Sequence, residues 1–489
     1  MQDLTKRIAI IGGGISGLSA AFYLERARRE GVNLDYVVYE ASPRFGGSMF
    51  SEHVDGCVVE AGPDSFLTEK PWAQTLARQI GLEDQLIGSN DAQRKTYILV
   101  NGKLVVIPDG LMFMVPTKLL PILSTPLFSW GTKLRMAAEW LHPPRRSQHD
   151  ETVASLVKRH YGSEMVDRLA DPLLSGVYGG EASGLSVRAV LPRFANMEKT
   201  HGSLGRAMLA ARKKMPAAIR SAKPLPLFTS MKNGMQQMVD GVLAHIHPAA
   251  LRTSTPVRGL TLRDGAWQVA AARDAESYDG IIIAVPAPVA SNLLRATQPD
   301  LAHELGQIAY SSSVTVTLGY GKDVLEKLPP GFGFLVPRTE GTRMLACTFV
   351  HVKFPHRAPP DRALLRVFLG GSRDEQILAL PDAQILDVVR NELRQILGLT
   401  AEPRFSRVYK WKGAMAQYGV GHLERLERIQ RLRATLPSLT LAGNAYRGIG
   451  VPDCILSGKD AAEEIAGPSP RVTEVIPAPP DPVAPQQVR

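Results

Sequence analysis

The sequence predicts an α/β protein with a Rossmann-type unit at its front, a mostly helical insertion in its first half and an antiparallel sheet in its second half. Three observations carry this. The chain opens as strand Arg7 to Ile11, glycine turn, helix Ile15 to about Arg29 and strand Asp35 to Glu40, a βαβ unit. Thr117 to Ala218 has helical spacing, as in KLRMAAEWL and ETVASLVKRHYG, with prolines punctuating the helices. From Pro224 the pattern turns to strands: LPLFTS, then a hairpin in VRGLTLRDGAWQVAAARD around Asp264-Gly265, then YDGIIIAVP.

The apolar run Gly280 to Val285 suits a strand buried on both faces of a sheet. Alternation at SSVTVTLGY and RALLRVFLGG marks the antiparallel sheet of a second domain. The stretch PSLTLAGNAYRGIGVPDCILSGKDAAEEI reads as strand, glycine loop and helix. Beyond Gly467 the chain is proline-rich with few large apolar groups, so an extended or disordered tail is expected.

A chain of 489 residues is too long for one ordinary core and implies two or three units. Hydrophobic residues at 44% and charged residues at 21% exclude disorder for most of it. The net charge of +10 favours an acidic partner: nucleic acid, anionic lipid or a carboxylate-bearing substrate. Nucleic acid is disfavoured, because the basic residues are scattered and aromatics reach only 6%. The one dense basic run, Arg206 to Lys223, reads as a solvated helix face.

Cys57, Cys347 and Cys454 lie far apart with no CxxC spacing, so no zinc site or redox dithiol is expected, and a reducing, cytoplasmic compartment fits. The N-terminus lacks the apolar core of a secretory signal. Leu119 to Trp130 is too short to span a bilayer. It sits near Phe113, Met114, Lys118 and Lys133, a mixture that suits either interfacial membrane attachment or an ordinary buried segment.

The chemistry concentrates in glycine-rich loops. Gly12-x-Gly14-x-x-Gly17 follows a strand and opens a helix, which allows a tight turn, close approach of a pyrophosphate and close helix packing. The helix N-terminus would hold the phosphates. Glu40 ends the next strand, where a carboxylate accepts hydrogen bonds from ribose hydroxyls. Arg44-Phe45-Gly46-Gly47 follows, a second glycine pair that NAD binding does not require; a simple turn with a solvated arginine is the alternative. A closing segment, Ala442-Gly443-Asn444 through Gly448-Ile449-Gly450-Val451-Pro452, is a further glycine loop that opens a helix.

These segments resemble the FAD-containing amine oxidase superfamily. Together with Val59-Glu60-Ala61-Gly62-Pro63-Asp64-Ser65-Phe66-Leu67, the block Asp171 to Gly180, Thr200-His201 and Gly419-Val420-Gly421-His422, the chain is similar to the porphyrinogen oxidases of heme biosynthesis up to about Ala466. That family oxidises protoporphyrinogen IX or coproporphyrinogen III with dioxygen, releasing hydrogen peroxide.

The resemblance implies a p-hydroxybenzoate-hydroxylase-like FAD domain (residues 1–90 with 225–290 and 404–466), a substrate domain on an antiparallel sheet (91–110 with 291–403), a helical membrane-associating insertion (111–224) and a tail (467–489). It implies non-covalent FAD held by Gly12, Gly14, Ile15, Ser16, Gly17, Glu40, Ala41, Arg44, Gly46, Gly47, Gly62, Pro63, Asp64, Val257, Gly443, Gly450, Val451 and Pro452. It also implies a cytoplasmic location at the inner face of the membrane, with ferrochelatase as the partner for product hand-over.

Phe332 and Leu335 match residues that sandwich a pyrrole ring, and Phe368 joins them as a substrate-positioning residue. Thr96 stands where the eukaryotic type has a propionate-binding arginine, as in the coproporphyrinogen-oxidising type, which also has a lysine at the position of Lys70. Hydride transfer to a flavin needs no dedicated acid–base pair, so none is assigned. The enzyme alternative is another member of the superfamily, an amine oxidase or carotenoid desaturase.

Overall fold

Successive residues of the central strands face different layers, and that alternation organises the cofactor half of the molecule. The computed structural model describes residues 5–145, 149–214, 225–271 and 275–467. The tail expected beyond Gly467 and the end of the basic run, 215–223, lie outside the described residues.

Five strands form a parallel sheet in the order Leu251–Arg252, Leu34–Tyr39, Lys6–Ile11, Gly280–Ile283, Leu439–Leu441. Ile8, Ile10 and Ile282 pack into a core built with the helices Ile15–Arg29 and Val451–Ala466. Ala9, Ile11, Ile281 and Ile283 face the opposite core, with Trp267, Leu294 and Leu301. All seven are at most 3% exposed, which is why the Gly280 run reads as continuously apolar. Asp264 (φ 50°) and Gly265 (φ 79°) turn the hairpin Gly259–Arg263 to Ala266–Ala270, as their residue types predict.

The second sheet has seven strands in the order Phe405–Ala416, Tyr310–Tyr320, Ala363–Gly370, Met344–Phe349, Gly333–Leu335, Thr96–Val100, Lys103–Val106. Every pairing is antiparallel except Gly333–Leu335 with Thr96–Val100. Val314, Val316, Phe334, Cys347, Leu365 and Val367 form its apolar face and pack with Ile385, Val389 and Leu393 of the helix Asp382–Leu397. The opposite face looks toward the cofactor half. One boundary needs correction: Phe405–Ala416 pairs with Tyr310–Tyr320, so the sheet runs past the boundary expected at residue 403. It is an edge strand carrying Arg407, Lys410 and Lys412, and edge strands commonly carry charge that hides their alternation.

The insertion is helical from Leu119 to Lys214 around a core of Leu156, Val157, Tyr161, Leu169 and Leu204, preceded by a two-strand hairpin at Leu111–Met112 and Val115–Pro116. Its apolar stretch divides: Leu127 and Phe128 are buried, whereas Leu120 is 80% and Trp130 67% exposed, and beyond it Leu134 is 69% and Leu141 83% exposed. Among the described residues no helix is long and apolar enough to cross a membrane.

A buried ion network holds this insertion together. His160 Nδ1 lies 3.0 Å from Glu139 Oε1 and its Nε2 3.1 Å from Glu198 Oε1. Glu139 also accepts the Ser203 hydroxyl (2.8 Å) and the Leu204 N–H, while Arg159 donates to both Glu198 and Glu151. His142 stacks on His160 at 4.6 Å. The donor atoms of His142, His160 and Glu198 lie within 4.8 Å of one another, but Arg159 already supplies positive charge at Glu198, so the cluster reads as an ion-pair network. Burial alone would lower the His160 pKa; the two carboxylates outweigh it and raise it above the ordinary imidazole value.

A pKa raised in the folded state gives stability that is complete below the unfolded value, about 6.5, and is lost as pH rises through the folded value. The first thermal transition should therefore fall as pH is raised above about 6.5, and the fall should vanish in His160→Gln. That substitution should itself cost about 3–5 kcal/mol by leaving the buried Glu139 carboxylate without a cation. Superimposable pH profiles of the two proteins in scanning calorimetry would exclude the clamp.

Candidate functional site

The turn after the first strand is shaped by glycines that meet different demands. Gly12 sits at φ 107° and donates its N–H to the Tyr39 carbonyl at 2.8 Å. A Cβ on Gly17 would lie 1.9 Å from the Gly12 carbonyl oxygen, so that glycine is required by the protein's own packing. Gly14 differs, because a Cβ there would meet nothing within 4 Å. Gly14 is also the N-cap of the helix Ile15–Arg29, whose first turn has no capping side chain and no acidic residue. Ile15 and Ser16 are buried in that turn, and its N–H groups receive no acceptor from a capping side chain.

Glu40 closes the other side of the turn. Its Oε2 accepts the Gly13 N–H and its Oε1 the Ser42 N–H, both at 2.7 Å, with lone pairs left for further donors. Ala41 is exposed beside it. The segment leading to Val257 lies against this corner, since Thr255 N–H bonds the Glu40 carbonyl at 2.8 Å and Ser254 N–H the Ser42 carbonyl at 2.9 Å. Arg44 is not a free solvated side chain: its guanidinium reaches the carbonyls of Phe45, Met49 and Gly47 and stacks on Phe50 at 4.7 Å. It thereby fixes the Gly46–Gly47 turn, whose Gly46 N–H bonds the Gly13 carbonyl at 2.8 Å.

Behind that turn runs the strap Glu60 to Asp64. A Cβ on Gly62 would lie 1.9 Å from the Ser48 carbonyl oxygen, so strap and turn are in direct contact. The Asp64 carboxylate points away toward Lys353 at 3.0 Å, and Pro63 is half-buried beside it. Burial alone would raise the Asp64 pKa; the Lys353 ammonium and the Arg366 guanidinium outweigh it and hold it well below the usual carboxylate range.

The closing loop meets the first turn from the C-terminal side. Gly443 (φ 125°) bonds Ser457 Oγ at 3.0 Å and, like Gly14, has nothing within 4 Å of a built Cβ. Gly450 caps the helix Val451–Ala466, with Val451 and Pro452 buried in its first turn and its N–H on Asp453 Oδ2 at 3.2 Å. Sequence reasoning found Gly419 to His422 without assigning it a purpose. The structure shows that it braces the closing loop. Tyr418 OH donates to the Asn444 carbonyl at 2.7 Å and accepts the Gly448 N–H at 2.9 Å, while His422 Nε2 lies 3.1 Å from the Tyr446 carbonyl and its ring stacks on Tyr418 at 4.1 Å.

Of the residues expected to position a substrate, Thr96, Leu335 and Phe368 share the second sheet and Phe332 immediately precedes its strand. Thr96 is in register with Gly333, and Ala346 with both Leu335 and Phe368. Leu335 and Phe368 therefore lie on the face opposite the helix Asp382–Leu397, in one cross-strand row with Thr315. Leu335 comes within 3.7 Å of a built Cβ on Gly176, in the helix Asp171–Tyr178. Phe332 is buried, its N–H on the Lys95 carbonyl at 2.7 Å. Lys70 stands apart: its ammonium bonds both oxygens of Asp453, at 2.6 and 2.7 Å, beside the closing loop.

Three donors missed by the sequence reading join the sheet to the strap. Thr315 Oγ1 and Trp411 Nε1 donate to the Ala61 carbonyl at 2.8 and 2.9 Å, and Arg366 donates to the Gly62 carbonyl. A lone arginine inside the apolar strand ALLRVFLG was the available signal.

Residues 15–466 match the family described as Flavin containing amine oxidoreductase. A coproporphyrinogen III oxidase of Bacillus subtilis (strain 168) is 33% identical over 467 residues, covering 95% of this chain and 98% of that protein. A protoporphyrinogen oxidase of Bos taurus is 32% identical over 487 residues, covering 95% and 99%. Among solved structures, an Exiguobacterium sp. 255-15 protein described as a candidate protoporphyrinogen oxidase superposes with TM-score 0.84 at 31% identity, covering 94% of this chain and 99% of that one. A putrescine oxidase bound to putrescine shares the fold, with TM-score 0.66 at 18% identity and coverage of 94% and 99%.

The open space at Gly14 separates ligand from packing. Gly14→Ala should leave the thermal midpoint of flavin-free protein unchanged and weaken flavin retention about tenfold or more by blocking close phosphate approach. Gly17→Ala should lower the midpoint of the flavin-free protein itself. Equal destabilisation by both, measured on flavin-stripped samples, would refute this division.

Proposed function

The chain belongs to the flavin-containing amine oxidoreductase family, and we propose that it binds FAD non-covalently and oxidises a porphyrinogen with dioxygen, as its coproporphyrinogen- and protoporphyrinogen-oxidising relatives are named for doing. The observation that carries the cofactor part is the convergence of an uncapped helix N-terminus at Gly14, the Glu40 carboxylate and the braced loop 443–450 at the C-terminal ends of the parallel strands. The residues fit the group. Gly14 with the first-turn N–H groups of Ile15 and Ser16 would take the pyrophosphate, Glu40 a ribose, and Gly46–Gly47 with the loop at Gly443 and Gly450 the flavin end.

A flavin bound there supplies hydride acceptance and electron delivery to dioxygen. The chain's own residues orient and enclose. The row Leu335, Ala346, Phe368 and Thr315 offers an apolar and weakly polar floor for a flat macrocycle, with Phe332 and Thr96 at its margin. The balance of the reaction is simple: six electrons and six protons leave the porphyrinogen and reduce three dioxygen molecules to three hydrogen peroxide. The amine-oxidase alternative rests on fold likeness alone.

The exposed side chains of Leu120, Trp130, Leu134 and Leu141, with exposed Lys118 and Arg135 among them, support a peripheral contact with a membrane surface. A place on the cytoplasmic face and product hand-over to a ferrochelatase belong to the same reading.

Two measurements test this. Purified yellow protein, given coproporphyrinogen III or protoporphyrinogen IX in air, should develop porphyrin fluorescence with hydrogen peroxide at about three per porphyrin; no turnover of either would remove the porphyrinogen assignment. In cosedimentation with phosphatidylglycerol vesicles, the Leu134→Ser, Leu141→Ser double variant should bind about tenfold or more weakly than the parent. Unchanged binding would leave the membrane contact without its apolar part.

A further inference from the structure

Between the strap Glu60 to Asp64 and the second sheet lies a buried cluster of charges that does not balance. Arg357, 1% exposed, pairs with Glu60 and donates to Ser230 Oγ at 2.6 Å. Lys353 pairs with Asp64 at 3.0 Å and with Ser65 Oγ at 3.1 Å. Each carboxylate thus has its own cation. Arg366 is the third: it is 4% exposed, and the nearest carboxylate oxygen, on the already paired Asp64, is 4.0 Å away. Its other contacts are neutral, the carbonyls of Gly62 and Ala61 and the face of Phe368 at 4.9 Å, and its Nε has no hydrogen-bond partner.

A surplus positive charge in a dry interior is expensive and is normally relieved by pairing. Here the carbonyls that Arg366 grips belong to the strap that touches Ser48, the residue following the Gly46–Gly47 turn assigned to the flavin end. A flavin gains negative charge when it is reduced near neutral pH, and a fixed cation in a medium of low dielectric favours that form.

We infer that Arg366 is a positioning residue that also acts through its charge. It pins the Ala61–Gly62 peptide beside the cofactor and supplies the unpaired positive charge that raises the cofactor's reduction potential. This rests on the flavin reading above. The other groups facing it, Asp64, Glu60, Arg357 and Tyr409, leave the sum of formal charges at plus one once Lys353 is counted.

The test is the midpoint potential of the purified, flavin-loaded protein, titrated against reference dyes, with Arg366→Met, Arg366→Lys, Asp64→Asn and Thr315→Ala. Arg366→Met should shift the potential to more negative values, by enough to change the reduced-to-oxidised ratio about tenfold at fixed potential, and Arg366→Lys should stay near the parent. Asp64→Asn, which removes a negative charge, should shift it the other way and decides the matter if Arg366→Met does not hold flavin. Thr315→Ala breaks one bond to the strap without changing charge and should leave the potential in place. Parent values in both charge variants, or a shift in Thr315→Ala as large as in Arg366→Met, would overturn the inference. A parent protein that binds no flavin would instead overturn the reading on which it rests.

Discussion

The helices Ile15–Arg29 and Val451–Ala466 touch backbone to backbone. A Cβ on Gly458 would lie 2.1 Å from the Ser16 carbonyl oxygen, and Ser19 Oγ bonds the Ile455 carbonyl at 2.8 Å. Only a glycine permits that approach. The consequence is that segments more than four hundred residues apart in sequence, the first glycine turn and the closing loop, start their helices side by side at the C-terminal ends of the parallel strands. Everything assigned to the cofactor depends on this crossing, because neither loop offers a complete site alone.

The second dependency follows from the first. Two helices can place a cofactor's phosphates and ring, and in the proposed reading the seven-stranded sheet presents the substrate, which requires its inner face to keep a fixed distance from the cofactor half. Among the directional contacts that hold that distance are Thr315, Trp411 and Arg366 on the strap carbonyls, Lys353 on Asp64, and Tyr418 with His422 on the closing loop. The segment holding Tyr418 and His422 also binds the helical insertion, through Ser186 N–H on the Tyr418 carbonyl at 2.7 Å and Gly421 N–H on Asp150 at 3.2 Å. Insertion, sheet and closing loop thus meet at one short segment, Tyr418 to His422.

What could be read from the sequence follows the range of the interactions. Local signals were legible: the βαβ unit with its helix at Ile15–Arg29, the Asp264-Gly265 hairpin, the alternation of Tyr310–Tyr320 and Ala363–Gly370, and the glycine loops. Those features are encoded within a few residues by backbone freedom and periodicity. Pairings across long separations were not legible. Nothing near Lys70 in sequence announces its partner Asp453, and nothing near Asp64 announces Lys353, because each partner lies hundreds of residues away. The edge strand Phe405–Ala416 was hidden for another reason: its outward basic residues suppress the apolar alternation that identifies inner strands.

The distribution of buried charge also separates what holds the fold from what serves the site. In the insertion, Glu139, Glu198 and Glu151 are answered by His160, Arg159 and Arg145, so that network can be complete without any ligand. At the strap the same kinds of side chain leave a cation over. A structural network gains nothing from an unpaired buried charge, since apolar replacements of similar volume are often neutral or stabilising. The imbalance makes physical sense at a place where negative charge arrives during the working cycle, and at the strap it lies where the two halves of the site meet.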